Sequence, residues 1–118
     1  MQRRPDVYVE LALIALRKVP RFLALRSRSA YPADDMCQSA VDRQLEIAGD
    51  ALAQLQETAQ NVFGRVSQCE LIVAFRNVRA HGYATLDHSK VYEAATFHTI
   101  ELTQSLESLL NEFPDTDD

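Results

Sequence analysis

Between residues 41 and 62 the apolar side chains fall at Val41, Leu45, Ala48, Leu52, Leu55, Ala59 and Val62. The spacings alternate four and three. On a helix all seven share one line, whereas on a strand they would scatter over both faces. A helix carrying such a seam needs another helix laid along it. This one stripe commits the chain to a helical bundle. The remainder agrees: no stretch alternates apolar and polar with period two, and there are only three glycines, which leaves little material for hairpin turns.

The same reasoning orders the other elements. A first helix is predicted over residues 6 to about 28, with Asp6 as its cap and Val9, Leu13 and Leu16 facing inward. Pro20 lacks a backbone donor and should kink or divide it. Residues 27–32 form a connection in which Tyr31-Pro32 is an extended step. Asp34 or Asp35 caps a second helix of about 35–62. Gly49 inside it costs roughly 1 kcal/mol against alanine and suggests the close approach of a neighbouring helix. After a short turn at Gly64, Ser67 and Glu70 form a capping box for a third helix of about 67–81, which stops at Gly82. Asp87 caps a fourth helix. Its stripe is Val91, Ala95, His98, Leu102, Leu106 and Leu109, with Tyr92, Thr99 and Leu110 beside it, and Pro114 ends it. Residues 1–118 therefore read as one all-α domain, an antiparallel bundle of four or five helices, with 114–118 a disordered acidic tail.

Composition narrows the setting. A chain of 118 residues supports one core. No apolar run spans a membrane, and residues 1–6 lack the apolar core and cleavage site of a signal peptide, so a cytoplasmic protein with reduced Cys37 and Cys69 is expected. Neither cysteine has zinc-site spacing. The net charge of −5 argues against general coating of nucleic acid. Its distribution is uneven: residues 1–29 carry a net +5 and residues 30–118 a net −10. That asymmetry allows a local anion-binding face, or a basic face paired with an acidic one in a dimer.

The residues that carry chemistry cluster between 76 and 83, in Arg76-Asn77-Val78-Arg79-Ala80-His81-Gly82-Tyr83. On the predicted helix Arg76 lies about one and a half turns before His81, and the Gly82 turn puts His81 and Tyr83 where helix gives way to loop. A guanidinium, an imidazole and a phenol in one small volume suit a phosphodiester. Histidine titrates near neutrality and serves as general base or acid. Arginine grips a phosphate with two N–H groups and stabilises charge growing on it. Asn77 can orient either group, and Tyr83 can bond a phosphate or stack on a base. No cofactor is required, and no convincing metal cluster is present. Of the other histidines, His88 reads as a solvated first-turn residue and His98 as a core or interface residue.

The 76–83 stretch resembles the Arg-x4-His-x-Tyr motif of HEPN-domain toxins of the HepT type. Residues 40–51, Ala-Val-Asp-Arg-Gln-Leu-Glu-Ile-Ala-Gly-Asp-Ala, are similar to that family's second-helix block, with Asp50 where glutamate is usual. The sequence from Val91-Tyr92-Glu93 through Leu102 resembles its closing helix. The resemblance implies a metal-independent endoribonuclease that cleaves RNA by attack of the 2′-hydroxyl. It implies Arg76 and His81 as the catalytic residues, with Asn77 and Tyr83 in support. It also implies the toxin role in a type II toxin–antitoxin pair, a homodimer, and an MNT-type nucleotidyltransferase antitoxin that transfers AMP to Tyr83. The alternative is a catalytically silent HEPN-like module that binds a nucleotidyltransferase or a nucleotide. A plain helical dimerisation domain is a third, weaker reading.

Overall fold

A computed structural model describes residues 4–23, 26–66 and 88–113. Helix α1 spans Pro5–Leu23 and leads through a 3-10 turn at Tyr31–Ala33 into α2, Asp35–Thr58. A short α3 follows at Gln60–Phe63. The closing helix is built from α4, His88–Glu93, a π turn at Ala94–His98, and α5, Thr99–Leu110. No strand occurs among the described residues, and the fold is an all-α bundle. None of the described helices is long and apolar enough to cross a membrane. The predicted helix over 67–81, its Ser67/Glu70 box, Cys69, the Gly82 turn, the Asp87 cap and the 114–118 tail lie outside the described residues.

Helices α1 and α2 run antiparallel. The Cys37 thiol, on the first turn of α2, donates to the carbonyl of Phe22 at 3.3 Å near the end of α1. Toward the other end Tyr8 and Leu11 lie beside Ile47 and Gln54. The closing helix is antiparallel to α1 as well: Pro20 borders Ile100, and Arg17 pairs with Glu107 at 3.1 Å. The core sits between these three. Val9, Leu13, Val41, Leu45, Ala48, Leu52, Leu55, Leu102 and Leu106 are all fully buried. Each of the larger side chains contributes roughly 1.5–3 kcal/mol by leaving water.

Several sequence expectations change. The helix that begins near residue 6 starts at Pro5, whose fixed φ and missing N–H suit a first helical position. Asp6 lies in that first turn, where its charge favours the helix dipole. Pro20 does not divide α1. The helix continues to Leu23, not to 28, and Pro20 occupies its last turn, where a missing backbone bond disrupts least. Tyr31-Pro32 is no extended step but opens a 3-10 turn with the proline at its start. The second helix stops at Thr58 because Ala59 adopts φ −149°, ψ 73°. This bend lets Phe63 and Val66 turn into the core along with Ala59. The buried stripe of the closing helix also shifts. The Thr99 N–H reaches back five residues to the Ala94 carbonyl, inserting an extra residue into that turn. Thr99, placed on the flank by its spacing, is 3% exposed, and its hydroxyl donates to the Ala95 carbonyl at 2.7 Å. His98 is left half-buried.

One aspartate holds the start of α2. Asp34 accepts the Cys37 N–H at 3.0 Å with Oδ1, the capping bond, and the Arg26 Nε–H at 2.6 Å with Oδ2. Arg26, followed by the Cys37 N–H, lowers the Asp34 carboxyl below its ordinary value. A carboxylate whose folded pKa is depressed stabilises the fold above its unfolded pKa of about 4, and that stabilisation is lost as pH falls through the folded value. Asp34→Asn keeps a capping oxygen but removes the charge pair. Its melting temperature is therefore expected to fall below the parent's at pH 7, and the gap to narrow as pH drops below about 4. Asp34→Ala, lacking the cap too, should remain below both across the range. Thermal unfolding by circular dichroism from pH 3 to 8 checks this, and parallel curves for parent and Asp34→Asn would refute the ion-pair assignment.

Candidate active site

Arg76, Asn77, His81 and Tyr83 lie outside the described residues, so none of them is placed against another. What the structure describes is the framework on either side of them in sequence: α2 and α3 before, and the closing helix, which opens at His88, five residues after Tyr83.

The end of the bundle where α4 begins is tightly built. Tyr31 is completely buried, and its ring meets that of Tyr92 edge-on, with centroids 5.4 Å apart. Burial pushes the Tyr31 phenol up, and the charges of Asp42 and Cys37 act in the same direction. The Tyr92 hydroxyl donates to the Arg26 carbonyl at 2.8 Å, and the Arg28 guanidinium lies 5.6 Å from the centre of the Tyr92 ring, within cation–π range. The Gln38 amide donates to the Tyr31 carbonyl at 2.7 Å. Through these contacts the first turn of α2, Tyr92 of α4 and the residues after α1 form one unit. Sequence reasoning treated Tyr31 as part of a connection and Tyr92 as a flanking residue. The available signal was two tyrosines far apart in the chain, one opening the 3-10 turn and one within α4, and pairing them required the fold.

Helix α2 also carries carboxylates at a spacing of four, Asp42, Glu46 and Asp50, which places them along one side. Asp42 is 2% exposed, and Glu46 is paired with Arg43 at 3.2 Å. None of the three lacks a partner. A carboxylate as deep as Asp42 would be costly without one. These residues belong to the 40–51 block. Gly49 within it is buried.

Burial raises the Cys37 thiol above its ordinary value, with Asp34 adding to the effect, and the group is spent on the Phe22 carbonyl. It is a structural residue and a poor nucleophile.

The chain matches no curated protein and no solved structure at a significant level. The model of one protein family, described as ribonuclease HepT-like, matches residues 12–109. The matched span runs from the middle of α1 almost to the end of α5, and so covers most of the bundle with the 76–83 stretch inside it. By that match, and with an all-helical bundle to support it, the chain belongs to the HepT-like ribonuclease family.

Proposed function

We propose that this protein is the toxin of a type II toxin–antitoxin pair, a homodimeric endoribonuclease that works without a metal and is neutralised by an MNT-type nucleotidyltransferase. The observation that carries the reading is the family match over 12–109, which encloses Arg76, His81 and Tyr83. In this mechanism His81 takes the proton from a ribose 2′-hydroxyl, the oxygen attacks the adjacent phosphorus, and Arg76 holds the phosphate as its charge grows. The 5′-oxygen of the next nucleotide leaves and takes a proton from water. The products are a 2′,3′-cyclic phosphate and a 5′-hydroxyl. Asn77 and Tyr83 steady the phosphate and the adjoining base.

The test uses the purified protein with single-stranded RNA in the presence of EDTA. Cleavage with 2′,3′-cyclic phosphate ends is expected, from a species that sediments as a dimer at micromolar concentration. Cleavage that stops in EDTA would refute the metal-free mechanism. Tight binding of the nucleotidyltransferase with no cleavage of any RNA would establish the silent module instead.

A further inference from the structure

We propose that the cleft between the end of α1 and the π turn of the closing helix is a subsite for one nucleobase of single-stranded RNA, with the adjoining phosphate held by arginines at its mouth. The proposal rests on the ribonuclease reading and extends it to a surface outside the 76–83 stretch.

The cleft has a volume of about 200 Å³ and is lined by Pro20, Leu23, Ala95, Thr96, Ile100 and the ring of Tyr92, with Arg26 among its walls. That is below the roughly 300 Å³ at which drug-sized sites begin, and it suits one planar ring better than a whole nucleotide. Its walls are apolar where a base would lie. One buried hydroxyl of the lining stands unspent. The Thr96 hydroxyl oxygen is shut off from solvent and has no hydrogen-bond partner among the described residues. Thr99, one turn on, satisfies its own hydroxyl on the Ala95 carbonyl. A threonine hydroxyl offers one donor and two acceptor positions, and a turn about χ1 would bring it to the edge of a base seated in the cleft. Thr96 lies in the wide turn and Thr99 closes it, a feature that often marks functional sites in helices.

The lining and the residues next to it in sequence supply charge and an exposed aromatic. Residues 17–28 hold five cations and no acid in a chain of net charge −5. Arg26 commits its Nε–H to Asp34, which fixes the guanidinium while its two amino groups retain donors suited to a phosphate. Arg21 and Arg28 are exposed beside it in sequence. Phe97, 59% exposed, and Ile100, 56% exposed, lie three residues apart on the closing helix. An exposed aromatic beside a basic groove is the arrangement by which proteins bind single strands without reading sequence.

Binding is measured with fluorescein-labelled 2′-O-methyl RNA, which cannot be cleaved by 2′-hydroxyl attack, so affinity is read independently of catalysis. Ile100→Glu puts a negative charge at the cleft mouth on an exposed position and should weaken binding about tenfold, while Thr96→Val should weaken it severalfold. Ser108→Glu, two turns further along the same helix, adds the same charge away from the cleft and should bind like the parent. With cleavable RNA the first two variants should raise KM and leave kcat nearly unchanged. If all four proteins bind alike while the parent cleaves RNA, the cleft proposal fails and the ribonuclease reading stands. If the parent neither binds nor cleaves RNA, both fail. Two further results would also overturn the proposal. Displacement of the RNA by free AMP or GMP would make the cleft a mononucleotide site. Loss of self-association by Ile100→Glu in sedimentation would make this face an interface between two copies of the chain.

Discussion

His81→Ala is expected to abolish RNA cleavage, lowering kcat/KM by about two to four orders of magnitude, the range by which a positioned general acid or base accelerates proton transfer. Arg76→Ala should cost a similar two to three orders, because the charge that builds on the phosphate loses its main counter-charge. The two losses should not add. Once the proton cannot be moved, holding the phosphate gains little, and a double variant should be only slightly slower than the worse single one. Groups that act on the substrate leave the fold intact when removed, so far-ultraviolet circular dichroism and the melting temperature should stay close to the parent's. The pH profile separates the roles. With His81 as the base, kcat/KM should rise through the histidine range near pH 6.5. His81→Gln, which keeps a hydrogen bond but cannot titrate, should flatten that limb. Cleavage by His81→Ala as fast as by the parent would show that another residue moves the proton.

How far the fold was legible depends on what each element rests on. The Val41–Val62 stripe was readable because helical burial is periodic, and Val41, Leu45, Ala48, Leu52 and Leu55 are indeed buried. The break at Ala59 was not readable. Alanine is the best helix former, and its extended conformation there follows from the burial of Phe63 and Val66, which lie beyond it in sequence. Pro20 misled in the opposite direction: the rule against proline inside a helix weakens in a last turn, and Leu23 beyond it is buried against the core. The π turn leaves no local signal, since Ala94-Ala95-Thr96 suits an ordinary helix as well, and only the shift of burial from His98 to Thr99 reveals it. The site divides the same way. The proposed catalytic residues are letters at fixed spacing, legible in the sequence alone, and the family match spans the stretch that holds them. The basic, aromatic end built from Arg26, Arg28, Tyr31 and Tyr92 was not, because its members come from segments 66 residues apart that only the fold joins.

Modification of Tyr83 should switch the enzyme off as completely as loss of His81. Tyr83 stands two residues after His81 and directly after Gly82, so any group attached to its hydroxyl stays on a short tether from the catalytic pair. The resemblance of the motif implies, as part of the proposed function, that this tyrosine accepts AMP from ATP. The phenol oxygen attacks the α-phosphorus, pyrophosphate leaves, and the tyrosine keeps a phosphodiester with one negative charge. That charge competes for the guanidinium of Arg76, and the adenosine fills space that the substrate needs. Inhibition then requires no refolding of the bundle. Incubation with an MNT-type nucleotidyltransferase, ATP and magnesium is therefore expected to add one AMP per chain by intact-mass spectrometry and to remove RNA cleavage, while the melting temperature changes little. Tyr83→Phe should gain no mass and, provided it still cleaves, should continue to do so after the same incubation. If the parent gains no mass, or if Tyr83→Phe gains as much, neutralisation by transfer to Tyr83 is excluded and the partner must act by occlusion. In that case inhibition should follow the concentration of the partner and be independent of ATP.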